Sequence, residues 1–156
     1  MRRTSPKHRR GTAAVDLEER RAFVDSGGWI ALLSLRDAHH VAAEALFREV
    51  SSRRILLITT NLVIAEVHRQ LLFRAGIRAA LAALEGIKAG DRLQIEFVTR
   101  DHHGSAVEWL RRFGDQPFTY ADATSFAVMK ARRCTSFIGF DGHFAIAGFT
   151  PWQPPK

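Results

Sequence analysis

The chain has 156 residues, 46% of them hydrophobic and 25% charged, and a formal net charge of +7. This length and balance suit a single globular domain with a core of useful size. The one cysteine, Cys134, excludes a disulfide framework within the chain, and the absence of a long apolar run or secretion signal predicts a cytoplasmic protein without a membrane partner.

More than half of the excess positive charge lies near the N-terminus. Residues 1–21 carry a net charge of +4, which leaves +3 for the remainder of the chain. We expect residues 1–20 to form a basic, disordered tail and residues 21–156 to form one domain. A basic segment attracts polyanions without sequence preference, so the tail alone does not define a function.

The N-terminal half alternates short apolar runs with helical patterns. Its predicted elements, in chain order, are a strand at 22–24 that ends at Asp25, a break at Gly27-Gly28, a helix at 29–35, a helix to about residue 50 capped by Asp37, a strand at 55–58, a helix at 62–75 capped from 59–61, and a helix from 77 that ends at Gly90.

The C-terminal half continues the alternation. Its predicted elements are a less buried strand at 93–97, in which apolar residues alternate with polar ones, a helix at 101–113, a loop at 114–117, a helix from about Asp122 to 133, a buried strand at 137–140 that ends at Asp141, and an edge strand at 149–152. Strands that alternate with helices predict an α/β fold of three layers, with a central, mostly parallel sheet of four to five strands between helices.

Four acidic residues interrupt or end apolar segments. Asp25 and Asp141 each follow a predicted strand, so both are expected at the carboxyl edge of the sheet, where α/β proteins bind ligands. Asp122 lies at a predicted helix N-terminus, where a carboxylate also serves as a cap. Glu66 lies on an apolar helix face, where Arg69 or Gln70 could be its local partner.

Four carboxylates at one site would repel one another, and a divalent cation removes that penalty. A site of oxygen ligands without Cys or His suits Mg²⁺ or Mn²⁺, and such ions support hydrolysis of phosphodiesters. The sequence has no Gly-rich phosphate loop with its Lys and no paired Cys motif for zinc. The adjacent pairs His39-His40 and His102-His103 are predicted to lie on the surface, and the rings of Trp29, Phe126, Phe140 and Phe144 are predicted to lie in the core.

Four segments carry a resemblance to a known family. They are residues 24–29 with Asp25, residues 59–61 with Glu66, residues 119–129 with Asp122, and residues 140–144 with Asp141, followed by Gly148-Phe149. Together they resemble the PIN-domain ribonucleases, including the VapC-type toxins of bacterial toxin–antitoxin modules. The resemblance extends over about residues 22–152. The Ser-Gly-Gly after Asp25 is looser than in many members, and the basic tail has no counterpart in the family pattern.

The resemblance implies a PIN-like fold and an endoribonuclease that depends on Mg²⁺ or Mn²⁺. It implies that Asp25 and Asp122 are the principal metal ligands and that Glu66 and Asp141 complete the acidic set. Ser26 and Ser125 would be polar groups behind these ligands, with simple helix capping as the alternative. RNA as substrate, a small antitoxin protein and a homodimer are further expectations from the family. Alternatives are an RNA-processing or DNA-directed nuclease outside a toxin–antitoxin pair, or a catalytically silent RNA-binding protein.

Overall fold

The computed structural model describes residues 20–155, so the tail predicted for residues 1–20 lies almost entirely outside the described residues. The strands of the described part are β1 Arg21–Val24, β2 Leu56–Thr60, β3 Leu93–Glu96, β4 Ser136–Ile138 and β5 Thr150–Pro151. Its helices are α1 Ser26–Leu33, α2 His40–Ser52, α3 Asn61–Ala75, α4 Ile77–Lys88, α5 Arg100–Arg112, α6 Tyr120–Ala131 and α7 His143–Ile146.

All five strands run parallel in the order β3-β2-β1-β4-β5. The chain moves outward from β1 through β2 to β3, and then crosses back to β4 on the other side of β1. Because such crossovers are right-handed, α1–α4 cover one face of the sheet and α5–α7 cover the other. The predicted three-layer fold with a parallel sheet is therefore confirmed.

An aromatic cluster fills the core between β1, β4 and the helices that follow. Phe144 lies 5.7 Å from Phe23, 5.0 Å from Phe126 and 5.1 Å from Phe137, measured between ring centroids. All four rings are fully buried, as is most of Trp29. Burial of such rings supplies much of the stabilisation of a domain of this size. The prediction that Phe140 belongs to this core is wrong, because it is only partly buried.

The first helix begins three residues earlier than its glycines indicate. The sequence predicted a break at Gly27-Gly28, but α1 starts at Ser26 and contains both glycines, and it ends at Leu33 rather than residue 35. A Cβ on Gly28 would lie 2.5 Å from the Ile138 carbonyl oxygen. Glycine is therefore required here for close packing of α1 against β4, and it does not act as a helix breaker.

Two further boundaries differ from the prediction, and a polar side chain with its own hydrogen bonds lies at each of them. Asp37 was predicted to cap α2, but the N-cap is His39, and Asp37 Oδ1 accepts from the His39 N–H one turn earlier. Strand β2 continues through Thr59, whose hydroxyl donates to the Val24 carbonyl and accepts from the Trp29 indole N–H. These bonds satisfy a buried hydroxyl and join β2 to β1 and α1.

Two more predictions about the strands, one for β3 and one for β4, are corrected by the structure. Phe97 was predicted to belong to β3, but it lies beyond the end of that strand and is 69% exposed, whereas Glu96 is buried. Glu96 is accepted there because the Arg132 guanidinium pairs with both of its carboxylate oxygens. Strand β4 ends at Ile138, two residues before the predicted end. The predicted edge strand is confirmed as β5, with Pro151 at the edge.

Cys134 is a buried structural residue. Its thiol donates to the Ser136 carbonyl oxygen at 3.4 Å, and burial raises the pKa of the Cys134 thiol to about 11. A thiol that stays protonated at neutral pH is a poor nucleophile.

No helix within residues 20–155 is both long and apolar enough to cross a membrane.

Candidate active site

The candidate site lies at the carboxyl edge of the sheet, between β1 and β4, where the order of the strands reverses. The connection after β1 leads to one side of the sheet, and β4 is reached from the other side. This is the topological switch point at which open α/β sheets bind ligands. Asp25 directly follows β1, and Gly139 to Asp141 follow β4, so the two segments border one crevice.

Asp25 is the most buried of the four carboxylates, with 3% of its surface exposed. Its Oδ1 accepts a hydrogen bond from the Gly27 N–H at 2.5 Å, as the N-cap of α1. Its Oδ2 is buried without a hydrogen-bond partner, and Gly139 is so close that a Cβ there would lie 2.6 Å from this oxygen. Burial, with the negative charges of Asp141 and Asp122, raises the pKa of Asp25 to about 7.

Glu66 projects from the second turn of α3 and is half-buried. Of the two local partners considered from the sequence, it has Gln70, whose Nε2 donates to Glu66 Oε1 at 3.5 Å. The Arg69 guanidinium instead lies over the Phe73 ring. Desolvation, reinforced by the charge of Asp122, raises the pKa of Glu66 above its usual range.

Asp122 is both a helix cap and a member of the acidic group. It stands in the first turn of α6, where its side chain and that of Thr119 form a reciprocal capping box. Its Oδ2 accepts from the Thr119 N–H at 2.9 Å and from the His143 Nδ1–H at 3.0 Å. These two donors occupy one carboxylate oxygen, and Oδ1 is left for another ligand.

Asp141 is the exposed member of the group and lies beyond the end of β4. Its Oδ1 accepts from the His143 N–H at 2.9 Å and so supports the turn into α7. Consequently the segment after β4 brings three groups to the crevice: a glycine against Asp25, the Asp141 carboxylate, and an imidazole bonded to Asp122.

The structure brings the four predicted acids to the same edge of the sheet. The charges of Asp141 and Asp122 act on Asp25, and both also act on Glu66. The carboxylates line one crevice but do not converge on a single position. Within residues 20–155, no three acidic, His or Cys side chains stand close enough together to hold a metal ion. Mg²⁺ commonly retains several waters and takes only one or two carboxylates, which suits this spacing.

The residues present fit a divalent cation. A buried carboxylate oxygen without a donor is costly, and nearby negative charge adds to that cost. Among the described residues, the acidic group is paired with no Lys or Arg; its hydrogen-bond donors are backbone amides, Gln70 and His143. A cation at Asp25 Oδ2 would satisfy the oxygen and remove the repulsion.

The two serines predicted to support the acids differ in their contacts. Ser26 lies close to both Asp25 and Glu66, and its hydroxyl favours the ionised form of each carboxylate, which lowers both pKa values. Ser125 is fully buried, and its hydroxyl donates to the Ala121 carbonyl of its own helix at 2.7 Å. A role for Ser125 beside the carboxylates stays a prediction.

The sequence predicts no role in the site for Gly139 or Thr59, and for His143 it favours capping or packing over contact with a substrate. Gly139 gives room for the Asp25 carboxylate, His143 orients Asp122, and Thr59 holds the carbonyl of the residue before Asp25. The spacing Asp-x-His at 141–143 is a usable signal for the imidazole. No sequence signal identifies Gly139 or Thr59, because their roles depend on which strands are neighbours.

Comparison with known proteins supplies independent information. The family model described as "PIN domain" matches residues 22–149, a span that includes all four acids. The chain belongs to the PIN-domain family. The basic N-terminal segment is not part of this match.

Two curated relatives of this PIN-domain chain share one description. Both are "23S rRNA-specific endonuclease VapC20", from Mycobacterium tuberculosis strains CDC 1551 and H37Rv, each 38% identical over 132 residues. The alignment covers 85% of this chain and 98% of each relative. A crystal structure of M. tuberculosis VapC20, titled a "Sarcin-Ricin loop cleaving toxin", superposes with a TM-score of 0.77 and 37% identity, covering 85% of this chain and 99% of that one.

Proposed function

We propose that this PIN-domain protein is a metal-dependent endoribonuclease that uses Mg²⁺ or Mn²⁺. The observation that carries the proposal is the Asp25 carboxylate, which is buried, has an oxygen without a donor, and lies within the field of two other carboxylates. Such an arrangement is unfavourable without a ligand and favourable around a dication.

Each acidic side chain has a part in the proposal. Asp25 Oδ2 and Asp122 Oδ1 would be the principal metal ligands, and Glu66 and Asp141 would complete the set directly or through water. The bound ion would neutralise the phosphodiester and activate water for hydrolysis. Gln70 and His143 would keep Glu66 and Asp122 oriented, since each donates to one of these carboxylates, and Ser26 would favour the ionised form of Asp25 and Glu66.

We propose RNA as the substrate, and specifically the sarcin–ricin loop of 23S rRNA. This rests on the likeness to VapC20, which is described as a 23S rRNA-specific endonuclease and a sarcin–ricin loop cleaving toxin, and on alignments that cover nearly its whole length. An RNA backbone is polyanionic, and the net charge of +7 favours its approach even though the site itself is acidic.

We further propose that the protein is the toxin of a two-gene module, acts in the cytoplasm, forms a homodimer and is neutralised by a small antitoxin protein. The support is the structural likeness to VapC20, which is described as a toxin. Inducible expression of the chain alone should arrest growth, and expression of Asp25→Asn should not. Growth unaffected by the unaltered chain at a verified protein level would contradict the toxin role.

The direct test is cleavage of an RNA that contains the sarcin–ricin loop, in parallel with a single-stranded DNA of the same length. With Mn²⁺ present, we expect specific cleavage of the RNA, which EDTA abolishes. Asp25→Asn and Asp122→Asn should each reduce kcat at least a hundredfold, because each removes a ligand charge. Asp115→Asn, in the exposed loop before α6, is the matched control and should cleave normally.

The alternatives correspond to other results of the same assay. Cleavage of the DNA but not the RNA would assign a DNA-directed nuclease. RNA binding without cleavage in any divalent ion would assign a catalytically silent RNA-binding protein. Cleavage that persists in both Asp variants would remove the acidic group from the mechanism.

A further inference from the structure

A stacked pair of rings lies at the rim of the acidic crevice. The His39 imidazole and the Phe140 ring are 4.4 Å apart between centroids and nearly parallel, with an interplanar angle of 5°. Phe140 is partly buried, and His39 is exposed. The pair therefore presents an accessible aromatic surface outside the hydrophobic core.

The backbone places this pair beside Asp25. Phe140 directly follows Gly139, the residue that borders Asp25 Oδ2. A Cβ on Gly27 would lie 3.6 Å from Asp25 Oδ1 and 3.9 Å from the Phe140 nitrogen. Hence the loop that carries Phe140 forms one wall of the crevice, and His39 covers that wall from the start of α2.

His39 is a poor choice for the stability of its own helix. It is the N-cap of α2, yet its side chain makes no capping hydrogen bond, although Ser, Thr, Asp or Asn at this position would stabilise the helix. A local rule broken at the rim of a site is a recognised mark of function. The turn before it is also fixed, because Asp37 accepts from the His39 N–H at 2.9 Å.

We propose that His39, supported by Phe140, is a stacking subsite for an unpaired nucleobase next to the scissile phosphate. The proposal rests on the proposed ribonuclease function and extends it to substrate positioning. Bases of single-stranded or looped RNA stack on aromatic and imidazole rings without regard to sequence. The Phe140 ring holds the imidazole flat from one side, so a base extends the stack on the other side.

The kinetic test compares His39→Ala, His39→Phe and His39→Gln on a sarcin–ricin loop RNA. Loss of the stack should raise KM about tenfold in His39→Ala and His39→Gln, with kcat within twofold of the unaltered protein. His39→Phe should restore KM, since it keeps a ring but removes the imidazole nitrogens. Phe73→Ala is the control, because this exposed ring on α3 contacts Arg69 and borders no carboxylate of the site.

A second measurement is independent of cleavage. RNA oligonucleotides with 2-aminopurine at successive loop positions are titrated with protein in Ca²⁺, and stacking on His39 should quench the fluorescence at one position. His39→Ala should lose this quench, and His39→Phe should keep it.

Three results would overturn the subsite: unchanged KM and quenching in His39→Ala, failure of His39→Phe to restore either, or an equal effect of Phe73→Ala. The subsite can fail while the unaltered protein still cleaves RNA, which would leave the ribonuclease proposal standing. Conversely, position-specific quenching without cleavage would retain the subsite and reject the ribonuclease. Unchanged melting temperatures of the variants would exclude misfolding as the cause.

Discussion

Asp25 is a buried carboxylate with one oxygen hydrogen-bonded and the other without a donor. Hydrogen bonds fix it from both sides, because the Thr59 hydroxyl donates to the carbonyl of the residue before it and the Gly27 N–H donates to its Oδ1. Its other oxygen faces Gly139 without a donor. The protein thus holds a carboxylate in a position where its charge is unfavourable until a cation binds.

The raised pKa of Asp25 sets the pH dependence of stability in the metal-free protein. Between its ordinary pKa of 3.8 and its folded value of about 7, the folded state holds a proton that the unfolded state has lost, so this group's contribution to stability falls as pH rises. In EDTA, Asp25→Asn should therefore gain about 2–3 kcal/mol relative to the unaltered protein between pH 5 and pH 8.

Urea unfolding at the two pH values measures this difference. Asp115→Asn should show no such gain, since that carboxylate lies in an exposed loop. A free energy of unfolding that changes equally with pH in Asp25→Asn and the unaltered protein would show that Asp25 titrates normally. Mn²⁺ should stabilise the unaltered protein more than Asp25→Asn at pH 8.

His143 is a positioning residue for Asp122. Its imidazole is one of two donors to Asp122 Oδ2, so His143→Ala should let the carboxylate turn and weaken Mn²⁺ binding about tenfold to a hundredfold. His143→Asn, which keeps a donor, should recover part of the loss. Calorimetry measures the affinity, and His102→Ala, which removes a helix-capping imidazole from α5, is the control. Equal affinity in His143→Ala and the control would refute the positioning role.

At the scale of elements, the site depends on the close approach of α1 to β4. Gly28 allows that approach, and the short β4 then releases Gly139 to border Asp25. The position of the acidic crevice therefore depends on the packing of α1 against β4 as well as on the four acidic residues.

A pair of glycine substitutions tests this packing. In Gly28→Ala the new Cβ would meet the Ile138 carbonyl, a backbone group with little freedom to move, so the free energy of unfolding should fall by about 1–3 kcal/mol. Gly104→Ala, in open space on α5, should instead raise it by about 0.5–1 kcal/mol. Chemical denaturation measures both; a neutral Gly28→Ala would mean that α1 and β4 are less tightly packed than described.

The sequence predicts the elements well where periodicity and length agree, as in α3 and α4. It fails where a residue's role is set by a distant partner. Gly27-Gly28 resembles a break only until β4 is known to lie beneath it. Glu96 resembles an outward residue of β3 until Arg132, 36 positions later, is seen to pair with it.

The same limit applies to the site. Strand ends alone predict that Asp25 and Asp141 share one edge of the sheet. Asp122 and Glu66 were expected beside them from the family resemblance, because a helix can start at the same edge or far from it. Gly139 and the ring pair of His39 and Phe140 were missed, since both depend on contacts between segments far apart in the chain.

At the scale of the whole molecule, strand order explains how distant carboxylates meet. The chain leaves β1 toward β2 and β3, and returns to β4 on the opposite side of β1. The crevice at this reversal receives Asp25 after β1, Glu66 from α3, Asp122 from α6 and Asp141 after β4. Excess positive charge elsewhere on the chain complements this acidic crevice and favours a polyanionic substrate.

Calorimetric titration of the metal-free protein with Mn²⁺ at pH 7.5 tests the central claim most directly. We expect saturable binding by the unaltered protein and by Asp115→Asn, with release of protons because the pKa of Asp25 is about 7. Asp25→Asn and Asp122→Asn should each lose most of that binding. Absence of binding by the unaltered protein, or equal binding by all four proteins, would contradict a shared dication site formed by these carboxylates.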